Sequence, residues 1–113
     1  APSSNVLGVL PGRGRLANET VIVGAHYDHV GMGGVGSLAP GTIAIHNGAD
    51  DNASGTSVLL VSAGQIRQQL ADQSDHRRVV FIAFTGEESV VDTLLTAVRT
   101  AFDRQSAFMS LPL

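Results

Sequence analysis

Three residues able to hold or move charge, His26, Asp28 and His29, stand within four positions in "VIVGAHYDHVGMGG", where an apolar run gives way to glycine. Two later stretches carry the same kind of group: "HNGADDNASG", with Asp50 and Asp51, and "FTGEE", with Glu87 and Glu88. An imidazole with several carboxylates suits a divalent cation of intermediate hardness, zinc first and manganese or cobalt next. Two glutamates in tandem point different ways, so one can ligate while the other accepts a proton from activated water. His26 and Asp28 lie two apart on an extended chain, hence on the same side, where Asp28 can orient the imidazole from behind. Acids usually occupy solvated faces. These five sit beside glycine and apolar runs instead.

Each residue also has a plainer reading. His26 alone would be a satisfied strand-end histidine, and His29 a loop residue or one lying behind a ligand. His46 reads as a turn residue, His76 as a solvated loop residue and Asp50 as a loop carboxylate. Glu87 or Glu88 could cap a following helix. That accounts for one acid and not for both.

The clusters matter only if the chain brings them together. "VIVGA" (21–25) reads as a strand covered on both faces. From about 54 to 71, Leu59, Ala63, Ile66 and Leu70 recur at helical spacing. "VVFIAF" (79–84) is a second buried strand. These three form one β-α-β unit with parallel strands and a right-handed crossover. His26 and Asp28, Asp50 and Asp51, and Glu87 and Glu88 then share the carboxyl edge of the strands, where open α/β sheets bind ligands. "NVLGVL" (5–10) adds a further strand, and residues 31–53 form a long loop of the kind that is usually functional. Ser89 and Asp92 make a capping box. Val91, Leu94, Leu95, Val98 and Phe102 follow as an amphipathic helix, and both helical stripes are core-facing surfaces.

Composition narrows the classes. The 113 residues suit one domain, and no apolar run nears the roughly 18 residues needed to span a bilayer. The net charge is −3 and every basic residue is an arginine without a basic stripe, which excludes nucleic acid as a partner. Cysteine is absent, excluding disulfides and thiolate metal sites. No signal segment opens the sequence, so the compartment is not legible. Two motifs are decoys. "GMGGVG" (31–36) fits G-x-G-x-x-G, but "SLAPG" follows where a dinucleotide fold would start a helix. "HYDH" is similar to the H-x-H-x-D-H motif of metallo-β-lactamases, but Gly24 stands in place of its first histidine.

In their order and spacing, "GAHYDHVG", "IHNGADDNASG" and "VVFIAFTGEE" resemble the co-catalytic zinc aminopeptidases. These are the bacterial leucine-type aminopeptidases, with glutamate carboxypeptidase among their relatives. "NVLGVLPG" is similar to the strand and turn that open their catalytic domain. The resemblance covers residues 5–88, leaving 89–113 as a divergent helical tail. It implies an α/β fold: the amino-terminal half of a three-layer α/β/α peptidase domain, with a mixed sheet containing the β-α-β unit. Residues 1–113 would be one partial catalytic domain.

The resemblance also implies roles. His26 would bind one zinc, Asp51 would bridge two, and Glu88 would bind the second. Glu87 would be the general base and Asp28 would support catalysis from behind His26. The Asp51–Asn52 peptide bond would be cis. The substrate would be a peptide cut at its amino-terminal bond, in a secreted or periplasmic setting.

The same family needs an aspartate in a later N-x-D-M-x-G-like strand and a distal histidine, and these 113 residues contain neither. "SVVDTLLTAVRTAF" stands where a Gly-Leu-Leu-Gly-Ser-like segment is expected. The chain alone should therefore bind metal weakly and hydrolyse little. The alternative is a non-catalytic metal-binding or interaction module derived from such a peptidase. With no later strand beside 79–84, an apolar sheet edge should invite self-association.

Overall fold

The computed structural model of the chain describes residues 4–34 and 37–85. The Glu87-Glu88 pair, the expected helix from 91 to 102 and the apolar end lie outside the described residues. Strand β1 (Val6–Leu10) leads through a short 3-10 turn (Gly14–Leu16) to strand β2 (Thr20–His26). Helix α1 (Asp50–Leu70) and strand β3 (Arg78–Phe84) follow. The three strands lie in the order β1-β3-β2. β3 pairs parallel to β2, from Thr20 opposite Arg78 to His26 opposite Phe84, and antiparallel to β1, from Val6 opposite Ala83 to Leu10 opposite Val79. This is an α/β arrangement with a β-α-β unit in a mixed sheet.

The helical stripe does what its spacing predicts. Leu59 and Ala63 are buried against Val79 and Phe81, and Ile66, Leu70, Val23 and Ala25 pack around them. The alternation of β3 sends Val80 and Ile82 to the other face, where Ile82 is wholly buried. Val58, Leu60 and Val61, off the stripe, stay exposed. Among the described residues, no helix is long and apolar enough to cross a membrane.

Three expectations need correction. β3 is not left with an open edge, because β1 enters from the amino-terminal side and pairs along it. β3 is therefore not the strand whose edge could self-associate; the outer strands among those described are β1 and β2. β2 is not covered on both faces either: it is an outer strand among those described, and Val21 and Ile22 are exposed. His76 is buried, not solvated. Its backbone pairs with Arg13 in an isolated bridge, and its Nδ1 donates to the Arg77 carbonyl at 3.0 Å.

The long loop is organised around His46. Its backbone N–H donates to the Gly31 carbonyl at 2.7 Å and its Nδ1 to the Ala44 carbonyl at 2.8 Å. Nε2 is left to accept from Ser37 Oγ at 2.8 Å. A side chain at Gly33 would run into this ring, and Gly33 holds a φ of +91° that glycine adopts readily. No helix lies between β2 and α1 among the described residues, so "GMGGVG" has none of the context of a dinucleotide-binding turn.

Candidate functional site

β2 ends on His26 and α1 begins at Asp50, and a small hydrogen-bond knot joins the two ends. The His26 carbonyl accepts from Thr56 Oγ1 at 3.0 Å and from Asn52 Nδ2 at 3.3 Å. Asn52 Oδ1 in turn accepts the Gly55 N–H at 3.0 Å. An Asn side chain bonded to the N–H three residues on is the geometry of a helix N-cap. Asp51 and Asn52 have non-helical backbone angles, so the regular helix starts only after this cap. The Asp51–Asn52 peptide bond is cis. Gly55 fits because a Cβ there would stand 2.4 Å from Asn52 Oδ1.

This knot sets Asp51 beside His26. Asp51 Oδ1 lies 3.2 Å from His26 Nε2. On its other side the imidazole turns Nδ1 toward the Asp28 backbone carbonyl at 3.3 Å, with the Asp28 carboxylate 3.8 Å away. A carbonyl only accepts, so Nδ1 carries the proton and Nε2 presents a lone pair. That lone pair faces a carboxylate oxygen. Two acceptors at this separation need a cation between them, a proton or a metal ion. Zinc bonds of about 2.0–2.1 Å to nitrogen and 2.0–2.2 Å to oxygen, at a tetrahedral angle, hold such donors about 3.3 Å apart. The pair fits a zinc ion by donor chemistry and by separation.

His29 completes the rim. Its Nδ1 lies 3.7 Å from Asp51 Oδ2, and its ring packs on the backbone of Gly48. The side chains of His26 and Asp28 are mostly buried, while that of Asp51 is 64% exposed. An open cleft of about 360 Å³ lies over Asp51, lined also by Tyr27, Asp28, His29, Gly48 and Thr56. The Asp51 carboxylate therefore faces solvent, with the largely buried His26 and Asp28 behind it.

Of the five site residues read from the sequence, the structure brings His26, Asp28 and Asp51 together at the carboxyl edge of β2. Glu87 and Glu88 lie outside the described residues. Among the described residues, no group of three or more His, Cys, Asp or Glu side chains is placed to hold a metal ion. The donors here are the two of the His26–Asp51 pair. Asp50 is exposed at the start of α1, and His46 is absorbed by the loop.

Sequence reasoning missed the residues that fix the site rather than face it. Asn52 stands three before Gly55 in "DDNASG", a spacing that signals a cap. Thr56 gave no signal. Asn52→Ala removes the cap and one donor to the His26 carbonyl and is expected to lower stability by about 1–2 kcal/mol. Thr56→Val removes the other donor, for about 1 kcal/mol. Because both donors serve one carbonyl, the double variant should depart from additivity, as chemical denaturation of the four proteins would show.

A sequence model of the family described as peptidase family M28 matches residues 5–107. No curated protein and no solved structure matches the chain.

Proposed function

The chain belongs to peptidase family M28, a family of zinc metallopeptidases, and from that premise we propose that its rim is one wall of a two-zinc aminopeptidase site. His26 and Asp51 would hold one zinc, and Asp51 and Glu88 the second. The observation that supports this reading is the approach of Asp51 Oδ1 to His26 Nε2 at 3.2 Å, at the carboxyl end of β2. Paired zinc ions, when bound, lower the pKa of a shared water and polarise the scissile carbonyl. Every remaining step belongs to the chain itself. The Asp28 backbone carbonyl keeps the His26 proton on Nδ1, with its carboxylate close by. Glu87 takes a proton from the attacking water and delivers it to the leaving amine. The substrate would be a peptide entering the open cleft by its amino end.

An aminoacyl anilide, with zinc present, tests the reaction. These 113 residues lack the later aspartate and histidine that the resemblance calls for, so the chain alone is expected to turn over slowly. Whatever zinc-dependent hydrolysis it shows should fall about 10²–10⁴-fold in Glu87→Gln, because general-base assistance is of that size. Hydrolysis that survives Glu87→Gln would remove Glu87 from the role. Zinc binding without any turnover would favour the second reading, a metal-binding module without catalysis.

A further inference from the structure

His29 has no part in the proposed chemistry, yet its ring is closely packed on the rim. A Cβ at Gly48 would stand 2.4 Å from its Cγ and 2.6 Å from its Cδ2, so the ring lies flush on a backbone that has room for no side chain. Its Nδ1 is buried and makes no hydrogen bond. A buried polar nitrogen without a partner is costly and calls for explanation. An oxygen of the proposed bridging carboxylate, Asp51 Oδ2, lies 3.7 Å away. The Asp51 side chain is 64% exposed and can turn about its Cβ–Cγ bond. About half an ångström of travel brings the pair within ordinary N–H···O distance.

We propose that His29 is a positioning residue for Asp51: its Nδ1–H donates to Oδ2 and fixes the carboxylate plane, so that Oδ1 stays aimed at His26 Nε2. The proton must be on Nδ1, since a lone pair there would oppose the carboxylate. Each carboxylate oxygen offers two lone-pair sites, so Oδ2 keeps one for a cation. The value of this bond for metal binding rests on reading Asp51 as a ligand. The bond itself does not.

Two measurements separate those statements. In the metal-free, ¹⁵N-labelled chain, long-range proton–nitrogen correlations report the His29 tautomer. The expected result is a proton on Nδ1, redistributed between the two nitrogens in Asp51→Ala. A proton on Nε2 in the unmodified chain, or no change in Asp51→Ala, overturns the proposal. Zinc titration calorimetry then compares His29→Asn, His29→Gln and His29→Phe, with circular dichroism confirming the fold. Asparagine puts an N–H where Nδ1 stands, so His29→Asn should keep the zinc affinity within about threefold, while Gln and Phe should lose about 10–100-fold. Equal losses in Asn and Phe refute positioning through Nδ1. If the unmodified chain binds no zinc while the tautomer is as expected, the metal reading fails and the positioning of Asp51 stands.

Discussion

Asp51→Ala is expected to weaken zinc binding by more than about a hundredfold in a calorimetric titration, while the metal-free protein loses only about 1 kcal/mol of stability, the worth of its bond to His29. Asp51 Oδ1 lies 3.2 Å from His26 Nε2, the separation that two ligands of one zinc ion take up. Its side chain is 64% exposed, so truncation removes little packing. Losing a supporting residue typically lowers metal affinity 10–100-fold, and losing a ligand shared by two ions should exceed that range. Asp50→Ala is the matched control. It lies one position away at the same helix start, is exposed, and should leave zinc affinity where it was. If Asp51→Ala binds zinc within threefold of the unmodified chain, the rim is not a zinc site. A marked fall in metal-free stability would instead make His26 and Asp51 a protonated structural pair.

Why the sequence disclosed some of this and not the rest has a physical answer. Leu59, Ala63, Ile66 and Leu70 repeat at the helical period, so the buried face of α1 and its position between two parallel strands could be read directly. The meeting of His26 with Asp51 followed from topology, since both lie where strands end and the crossover begins. β1 was different. Its pairing with β3 joins Val6 to Ala83 across most of the chain, and no local pattern encodes which strand occupies an edge. The exposure of Val21 and Ile22 follows from the same missing information, because an apolar run reads alike in an inner and an outer strand. His76 shows another limit. A histidine in "QSDHRR" looks solvated, and only the backbone bridge to Arg13 draws it inside. At the site, the facing groups were legible by type, whereas Thr56 and Gly48 work through the backbone of their neighbours. Their side-chain chemistry announces nothing.

Gly48→Ala is expected to be the most damaging single methyl group on the rim, and Gly31→Ala supplies the comparison that isolates the reason. Both glycines have positive φ, +54° at Gly48 and +59° at Gly31, so alanine is conformationally disfavoured at either by about 1–2 kcal/mol. They differ in surroundings. A Cβ at Gly31 meets nothing within 4 Å, whereas one at Gly48 would stand 2.6 Å from the Asp51 carbonyl oxygen and 2.4 Å from His29 Cγ. Neither neighbour is the loose end of a flexible chain. The Asp51 carbonyl lies in the non-helical first residues of α1, and the His29 ring borders the same rim. Something that holds Asp51 must move. Gly31→Ala should therefore lose only the conformational term and keep its zinc affinity. Gly48→Ala should lower the unfolding midpoint by on the order of 10 °C, as about 2–3 kcal/mol does in a domain of this size. It should also lower zinc affinity at least about tenfold, because the carboxylate and the ring that orients it are displaced together. If the two variants prove alike in both midpoint and affinity, the close packing of Gly48 plays no part in aiming Asp51. Left-handed backbone would then be the whole of its role.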